Sequence, residues 1–90
     1  MSRPLNKYEK AICKKLADRR REVGLSQRAV ADDLGYTTPQ LVSNWERYLI
    51  MPPFEKMRKL SKMYKMPTLQ KDYIDCKVAT LKIQWGRLEA

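Results

Sequence analysis

SQRAVADDLGYTTPQLVSNWER, residues 26–47, is the stretch of this sequence that decides its fold. Ser26 is typical of a helix N-cap, and Gly35 is typical of a helix end. Thr38 followed by Pro39 is typical of a second N-cap with proline at the first helical position. Two short helices joined by a tight turn predict a helix-turn-helix, with its second helix over residues 38–47.

The second helix of this unit is predicted to have two opposite faces. Val42, Trp45 and Glu46 share one face by the i, i+3, i+4 rule. The opposite face carries polar side chains, namely Gln40, Ser43, Asn44 and Arg47. Amides and hydroxyls supply donors and acceptors suited to the edges of DNA bases in the major groove. The residues expected to contact bases are Thr38, Pro39, Gln40, Ser43 and Asn44.

The positive charge of the chain lies in the segments on either side of the predicted helix-turn-helix, and the helix-turn-helix itself is close to neutral. The whole chain of 90 residues carries a net charge of +9, which favours an anionic partner. Residues 1–22 carry +5 and residues 52–66 carry +4, whereas residues 23–51 carry −1 and residues 67–90 carry +1. Any single lysine could be an ordinary solvated side chain. The pattern as a whole favours double-stranded DNA, with flanks that attract phosphate and a centre that reads sequence.

Candidate phosphate contacts lie beside the predicted reading helix. Gln27 falls in the first turn of its helix, where free backbone N–H groups favour an anion, although simple solvation is the alternative. The full set of expected phosphate contacts is Gln27, Arg28, Arg47, Lys56 and Lys59.

Arg20 and Glu46 form a predicted structural pair. Residues 5–23 read as an amphipathic helix, and Arg20 lies on its apolar stripe, four residues after Leu16. Glu46 lies on the apolar face of the reading helix, four residues after Val42. Because a charge on a core face is costly unless it is paired, we expect these two to form a salt bridge.

The remaining chain predicts an all-α fold of four to five helices. Residues 1–66 are expected to form the DNA-binding domain, and residues 67–90 a C-terminal helix. Apolar residues of that helix are spaced 4, 3, 4 and 3 apart, as in a short heptad seam, at Ile74, Val78, Leu81, Trp85 and Leu88. This seam either forms the interface of a homodimer or packs on its own domain.

Several classes of function are disfavoured by composition. The chain has no histidine, and Cys13 and Cys76 are far apart, so neither a metal site nor a cofactor is expected. No nucleophile–base pair or glycine-rich phosphate loop is visible, so no catalytic residue and no enzyme activity are expected. No apolar run approaches a membrane span, and the polar N-terminus lacks a signal peptide, which favours a cytoplasmic protein with reduced thiols.

Three segments carry a resemblance to a known family: GLSQRAVADDLG, SNWER and MPPFEKMRKLSKMYKMP. Through them, residues 8–74 resemble the Cro and phage-repressor class of helix-turn-helix transcriptional regulators, of the xenobiotic-response-element type. The resemblance implies a compact helical bundle that binds DNA, usually as a dimer, in a bacterial or phage setting. In this class the residue matching Gln27 contacts phosphate, and residues matching Pro39, Gln40 and Asn44 approach bases.

These observations favour a sequence-specific DNA-binding regulator, of repressor type. The alternative is a helix-turn-helix protein-interaction module, antitoxin-like or coactivator-like, whose C-terminal helix captures a protein partner.

Overall fold

The computed structural model describes the backbone of residues 3–89 and the side chains of residues 3–87, and its regular structure is helical throughout these residues. A short 3₁₀ turn, Phe54–Lys56, leads directly into the fourth helix. The five helices are α1 (Lys7–Glu22), α2 (Gln27–Asp33), α3 (Gln40–Glu46), α4 (Met57–Met63) and α5 (Leu69–Glu89). The expected all-α bundle of four to five helices is therefore confirmed. Within these limits, none of the helices combines the length and the apolar character needed to cross a membrane.

A capping box starts α1. The Asn6 side chain accepts hydrogen bonds from the backbone N–H groups of Tyr8 and Glu9, and the Glu9 carboxylate accepts one from the Asn6 N–H at 3.0 Å. These bonds satisfy donors that the first helical turn leaves free. Glu9 is buried, and Arg3 donates to both of its carboxylate oxygens at 2.6 and 2.7 Å. The segment before α1 is thereby fixed against the first turn of the helix.

Helices α1 to α4 all end in the same way. The residue after each C-cap has a positive φ, and the residue after that one donates back to a carbonyl five positions earlier. This is the Schellman motif, which satisfies carbonyls that the last turn leaves free. The four positive-φ residues are Gly24 (79°), Gly35 (84°), Tyr48 (64°) and Lys65 (53°). Glycine adopts this conformation freely, whereas a residue with a Cβ atom is strained in it.

One buried cluster holds the helices together. In this cluster α3 contributes Val42 and Trp45, which pack with Val30 and Ala31 of α2 and with Leu34, the C-cap of α2. The same cluster continues through Ile12, Cys13, Leu16, Met57, Leu60 and Tyr64 to Leu69, Tyr73 and Cys76. The N-terminal half of α5 thus shares one core with the helix-turn-helix, and this shared core fixes α2 and α3 relative to each other.

Helix α5 turns one face to that core through residues spaced three or four apart. Leu69, Tyr73, Cys76 and Thr80 are buried along this face. The Tyr73 hydroxyl donates to the Pro52 carbonyl at 2.8 Å, and the Thr80 hydroxyl accepts from the Asn6 amide at 2.9 Å. These bonds secure α5 to the loop before α4 and to the start of α1.

Candidate nucleic-acid interface

The outer surface of α3 is fixed by the buried side of the helix. Val42 and Trp45 are buried, so the polar residues spaced around them face outward. Gln40 and Arg47 are exposed, and Ser43 and Asn44 are half-buried. We call Gln40, Ser43, Asn44 and Arg47 the outer face of α3. Of the five expected base contacts, the structure places three on α3, namely Gln40, Ser43 and Asn44. Pro39 lies directly before the helix, and Thr38 lies in the turn.

The predicted bounds of the reading helix, 38–47, are wrong by one or two residues at each end. The first i→i−4 hydrogen bond runs from the Ser43 N–H to the Pro39 carbonyl at 3.0 Å, so Pro39 is the N-cap and α3 starts at Gln40. Thr38 is therefore not the N-cap, although its hydroxyl accepts from the Gln40 N–H at 3.3 Å. At the other end Arg47 is the C-cap, because Tyr48 has already turned to positive φ.

Two amides on the outer face of α3 are joined to each other. The Gln40 Nε2 donates to the Asn44 Oδ1 at 2.8 Å, along one side of the helix. Because Gln40 and Asn44 are one turn apart, this bond holds both side chains in one row. The remaining Gln40 oxygen and the Asn44 amide hydrogens stay available to a ligand.

The inner side of α3 carries the pair of Arg20 and Glu46. Arg20 Nε and Nη2 donate to the two oxygens of Glu46 at 2.6 and 2.9 Å, and the side chains are only 11% and 7% exposed. Gln27 Nε2 donates to Glu46 at 2.9 Å. Burial by itself would raise the pKa of Glu46, but the hydrogen bonds from Arg20 and Gln27 outweigh it and lower that pKa. The carboxylate therefore stays charged and joins α1, α2 and α3.

The expected phosphate contacts differ in whether their side chains already bond to other residues of the chain. Arg47 is exposed at the end of α3. Gln27 is engaged with Glu46, so a contact from its side chain to phosphate requires its amide to serve two partners. Arg28 donates to the Thr37 carbonyl at 3.3 Å and pairs with Asp32 at the same distance.

Lys56 and Lys59 extend from the other side of the turn. They donate to the carbonyls of Leu34 and Asp33 at 3.2 and 3.3 Å, and the Lys56 ammonium lies 5.3 Å from the centre of the Tyr36 ring. Both ammonium groups thus cap the C-terminus of α2, where the helix dipole favours a cation. They lie beside the turn between α2 and α3, next to the helix that would meet DNA.

Some of the basic residues near the N-terminus serve the fold. Arg19 donates from Nε to the Tyr64 carbonyl at 2.7 Å, and so connects α1 with the end of α4. Arg3 is committed to Glu9. Neither role was predicted. The Asn6-x-x-Glu9 pattern was a visible signal of the capping box at the start of α1, but it does not indicate that Arg3 pairs with Glu9. The N-terminal charge excess therefore overstates the charge that is free for phosphate.

The seam predicted along α5 lies on the side away from the core. Ile74, Val78, Leu81 and Trp85 are 50%, 45%, 62% and 61% exposed. We call these four residues the outer face of α5. Leu88 continues their spacing, but its side chain lies outside the described residues. Packing of the seam on its own domain, one of the two expectations, is therefore wrong for these four positions, because the opposite face of α5 makes those contacts.

The two cysteines are core residues. Cys13 and Cys76 are free, buried thiols, and burial raises the pKa of Cys13 to about 12. A thiol with so high a pKa is protonated at neutral pH and is a poor nucleophile. Across residues 3–87, no three His, Cys, Asp or Glu side chains are grouped so that they could hold a metal ion.

Comparison with known proteins supplies the family. The family model described as Helix-turn-helix matches residues 16–70, which is more than half of the chain. Neither the curated proteins nor the solved structures gave a significant match. The matched segment contains α2, the turn and α3, together with Arg20 and Glu46, which join them. The chain belongs to the helix-turn-helix family of DNA-binding regulators.

Proposed function

We propose that this chain is a sequence-specific transcriptional repressor that places the outer face of α3 in the major groove of double-stranded DNA. The observation that carries the proposal is the pair of Gln40 and Asn44, joined at 2.8 Å on the outer face of α3, the second helix of a helix-turn-helix. Amide side chains recognise adenine through its N6 and N7 atoms, and the major groove presents both. The assignment as a repressor rests on the resemblance to phage repressors.

The bond between the two amides gives them different tasks. Asn44 is half-buried and more restricted, and its Oδ1 keeps one lone pair while its Nδ2 keeps both hydrogens. It can therefore form the bidentate contact with adenine. Gln40 is exposed and orients Asn44, while its own Oε1 can accept from a neighbouring base, such as the N4 amino group of cytosine.

Leu41 adds an apolar contact that the sequence analysis did not single out. It is 37% exposed and lies between the two amides in sequence, on the edge of the outer face of α3. An apolar side chain at a base edge suits the C5-methyl group of thymine. We therefore expect thymine at a position adjacent to the adenine read by Asn44.

Phosphate contacts would come from cations around the turn. Arg28, Lys56 and Lys59 all donate to backbone carbonyls of residues 33–37, which places their charges near the start of α3, and Arg47 lies at its end. Charges at both ends of a reading helix would hold it in the groove and fix its register.

Selection of bound duplexes from a random pool tests this proposal. The wild-type chain should enrich one sequence that contains adenine. Asn44→Ala should weaken the selected site by about 1–3 kcal/mol and relax the preference at one position, while binding to random DNA changes little. Gln70→Ala is the matched control, because it removes an exposed amide from α5. Failure to enrich any sequence, or an equal loss on selected and random DNA, would show that α3 does not read bases. Repression itself is measured with a reporter controlled by the selected site.

A second candidate function is supported by the outer face of α5. This exposed apolar surface suits a protein-interaction module that captures a protein partner. The two functions differ in which surface is essential. Loss of cellular activity on Asn44→Ala supports DNA reading, whereas loss on Val78→Glu with full activity of Asn44→Ala supports partner capture.

A further inference from the structure

The outer face of α5 is an apolar strip that the other residues of the described range, 3–87, leave largely uncovered. Its four side chains are about half exposed or more, and with Lys82, Gln84 and Gly86 the last three of them line an open groove of about 590 Å³. Such a strip covers an area on the order of 400 Å², near the largest apolar patches that monomeric proteins expose. The charged residues that flank this strip on α5 determine which partner can pack against it.

The charged residues along this strip follow the heptad pattern. If Val78 and Trp85 occupy position a, then Ile74 and Leu81 occupy position d. On one side of the strip, position e holds Asp75 and Lys82, which have opposite charges and are both exposed. On the other side, position g holds Lys77 and Gln84. The two sides therefore differ, and only the first can form ion pairs with a copy of itself.

We propose that α5 pairs with α5 of a second copy of this chain, in antiparallel orientation, with Ile74 of each copy against Trp85 of the other and Val78 against Leu81. In an antiparallel pair, position e faces position e of the second helix. This register brings Asp75 of each copy to Lys82 of the other, which forms two ion pairs by symmetry. Lys77 then meets the neutral Gln84.

Other arrangements of the same strip place like charges together. A shift of one heptad in either direction sets Lys82 against Lys82 or Asp75 against Asp75. In a parallel pair, position g of one helix faces position e of the next heptad on the other, so Lys77 would meet Lys82 on both sides. Like-charge contacts destabilise a pair and discriminate against that arrangement. The sequence of charges thus favours one orientation and one register.

The area of the strip predicts a weak dimer. Standard interfaces bury about 800 Å² per partner, and the strip supplies roughly half of that. Association in the micromolar range is expected for the chain alone, and binding of both copies to one DNA site would strengthen it by mass action. Because dimerisation is measured without DNA, its failure leaves the proposal for α3 untouched.

Charge reversal on the full chain tests the pairing. Sedimentation across the micromolar range should show a monomer–dimer equilibrium, and Asp75→Lys or Lys82→Asp should each raise the dimer Kd about tenfold. The double variant should restore the Kd to within about threefold of wild type, because the ion pairs re-form with their signs exchanged. Lys62→Gln is the matched control, because it removes one exposed positive charge from α4 and leaves α5 unchanged.

Each other outcome overturns the proposal in a distinct way. A chain that stays monomeric throughout this range does not pair through α5, and the strip then takes a different protein. A lower Kd in Lys82→Asp indicates a parallel pair, in which the new carboxylate meets Lys77. A double variant that is no better than the single ones excludes this register. Far-UV circular dichroism verifies that each variant is folded, which is expected since both side chains are exposed.

Discussion

Arg20 and Glu46 carry opposite charges into the space between α1 and α3, and each makes the burial of the other tolerable. Replacement of one partner leaves a buried charge without compensation, so Arg20→Met or Glu46→Leu should each reduce the free energy of unfolding by about 3–5 kcal/mol. The double variant should lose much less than the sum. Denaturant unfolding of the three variants measures this coupling, and strictly additive losses would contradict it. Lys14→Met, which removes an exposed pair with Asp18, serves as the control.

The Glu46 carboxylate also makes the free energy of unfolding depend on pH in the acid range. The pKa of Glu46 is lowered in the folded chain, despite the opposing effect of burial, by hydrogen bonds from Arg20 and Gln27. Its stabilising contribution is therefore fully present above the unfolded-state pKa of about 4.3 and is lost as the pH falls through the lower folded pKa. Unfolding measured from pH 7 to pH 3 should show a shallower decrease for Glu46→Gln than for wild type. Equal slopes would show that other carboxylates, such as Glu9, dominate.

At the scale of single residues, apolar periodicity was sufficient to predict where Arg20 and Glu46 lie, because a charge on a core stripe needs a partner. It could not reveal Arg3 with Glu9, since Arg3 precedes the helix and belongs to no periodic pattern. It also could not show that Gln27 donates to Glu46, because that bond depends on how α2 crosses α3.

Helix α5 carries buried apolar residues on one face and exposed apolar residues on the opposite face, and the sequence alone does not distinguish them. Leu69 is fully buried, whereas Leu81 is 62% exposed. Leu69→Ala should cost about 2–5 kcal/mol through lost burial and the resulting cavity, while Leu81→Ala should change the stability of the monomer by less than about 0.5 kcal/mol. Thermal or chemical unfolding at a concentration below the dimer Kd compares them. A large loss in Leu81→Ala would assign the outer face of α5 to the core.

The two helices of the helix-turn-helix could be predicted from their caps, and the first and last helices from apolar periodicity, but two features of the helices could not be predicted. The turn before α3 holds Thr37, Thr38 and Pro39, and which carbonyl accepts the first helical bond depends on how that turn bends. Helix α5 is amphipathic on two sides, because Tyr73 and Cys76 form one apolar row and Val78 and Leu81 another. Periodicity alone does not decide which row meets the core.

For the molecule as a whole, the arrangement of charge sets how salt acts on DNA binding. Four cations lie at or near the ends of α3: Arg28, Arg47, Lys56 and Lys59. If each neutralises one phosphate, the logarithm of the binding constant should fall with the logarithm of salt concentration at a slope of about −4 per chain. Titrations of duplex DNA at several salt concentrations give this slope. Lys59→Ala should reduce its magnitude by about 1 on every sequence, whereas Lys10→Ala should not.

The net charge could be predicted from composition, but which cations bond within the fold and which lie close to α3 could not. Arg3 and Arg19 are bound to groups of the fold, and Lys56 and Lys59 donate to carbonyls of α2 while remaining close to α3. These roles depend on contacts between segments that are distant in sequence. A count of positive charges therefore indicates that the partner is anionic without indicating which cations meet it.

The Schellman ends of α3 and α4 leave room for engineering. Lys65 holds a φ of 53° with its side chain exposed, whereas the equivalent positions after α1 and α2 are glycines. Lys65→Gly removes the clash of Cβ with the backbone, and although glycine increases the entropy of the unfolded chain, a net gain of up to about 1 kcal/mol is expected. A shift of the denaturation midpoint to higher denaturant would show it, and Lys62→Gly, within α4, should instead lower it. Thermostable variants for crystallisation or selection experiments could thus be made at a helix end that touches neither α3 nor the outer face of α5.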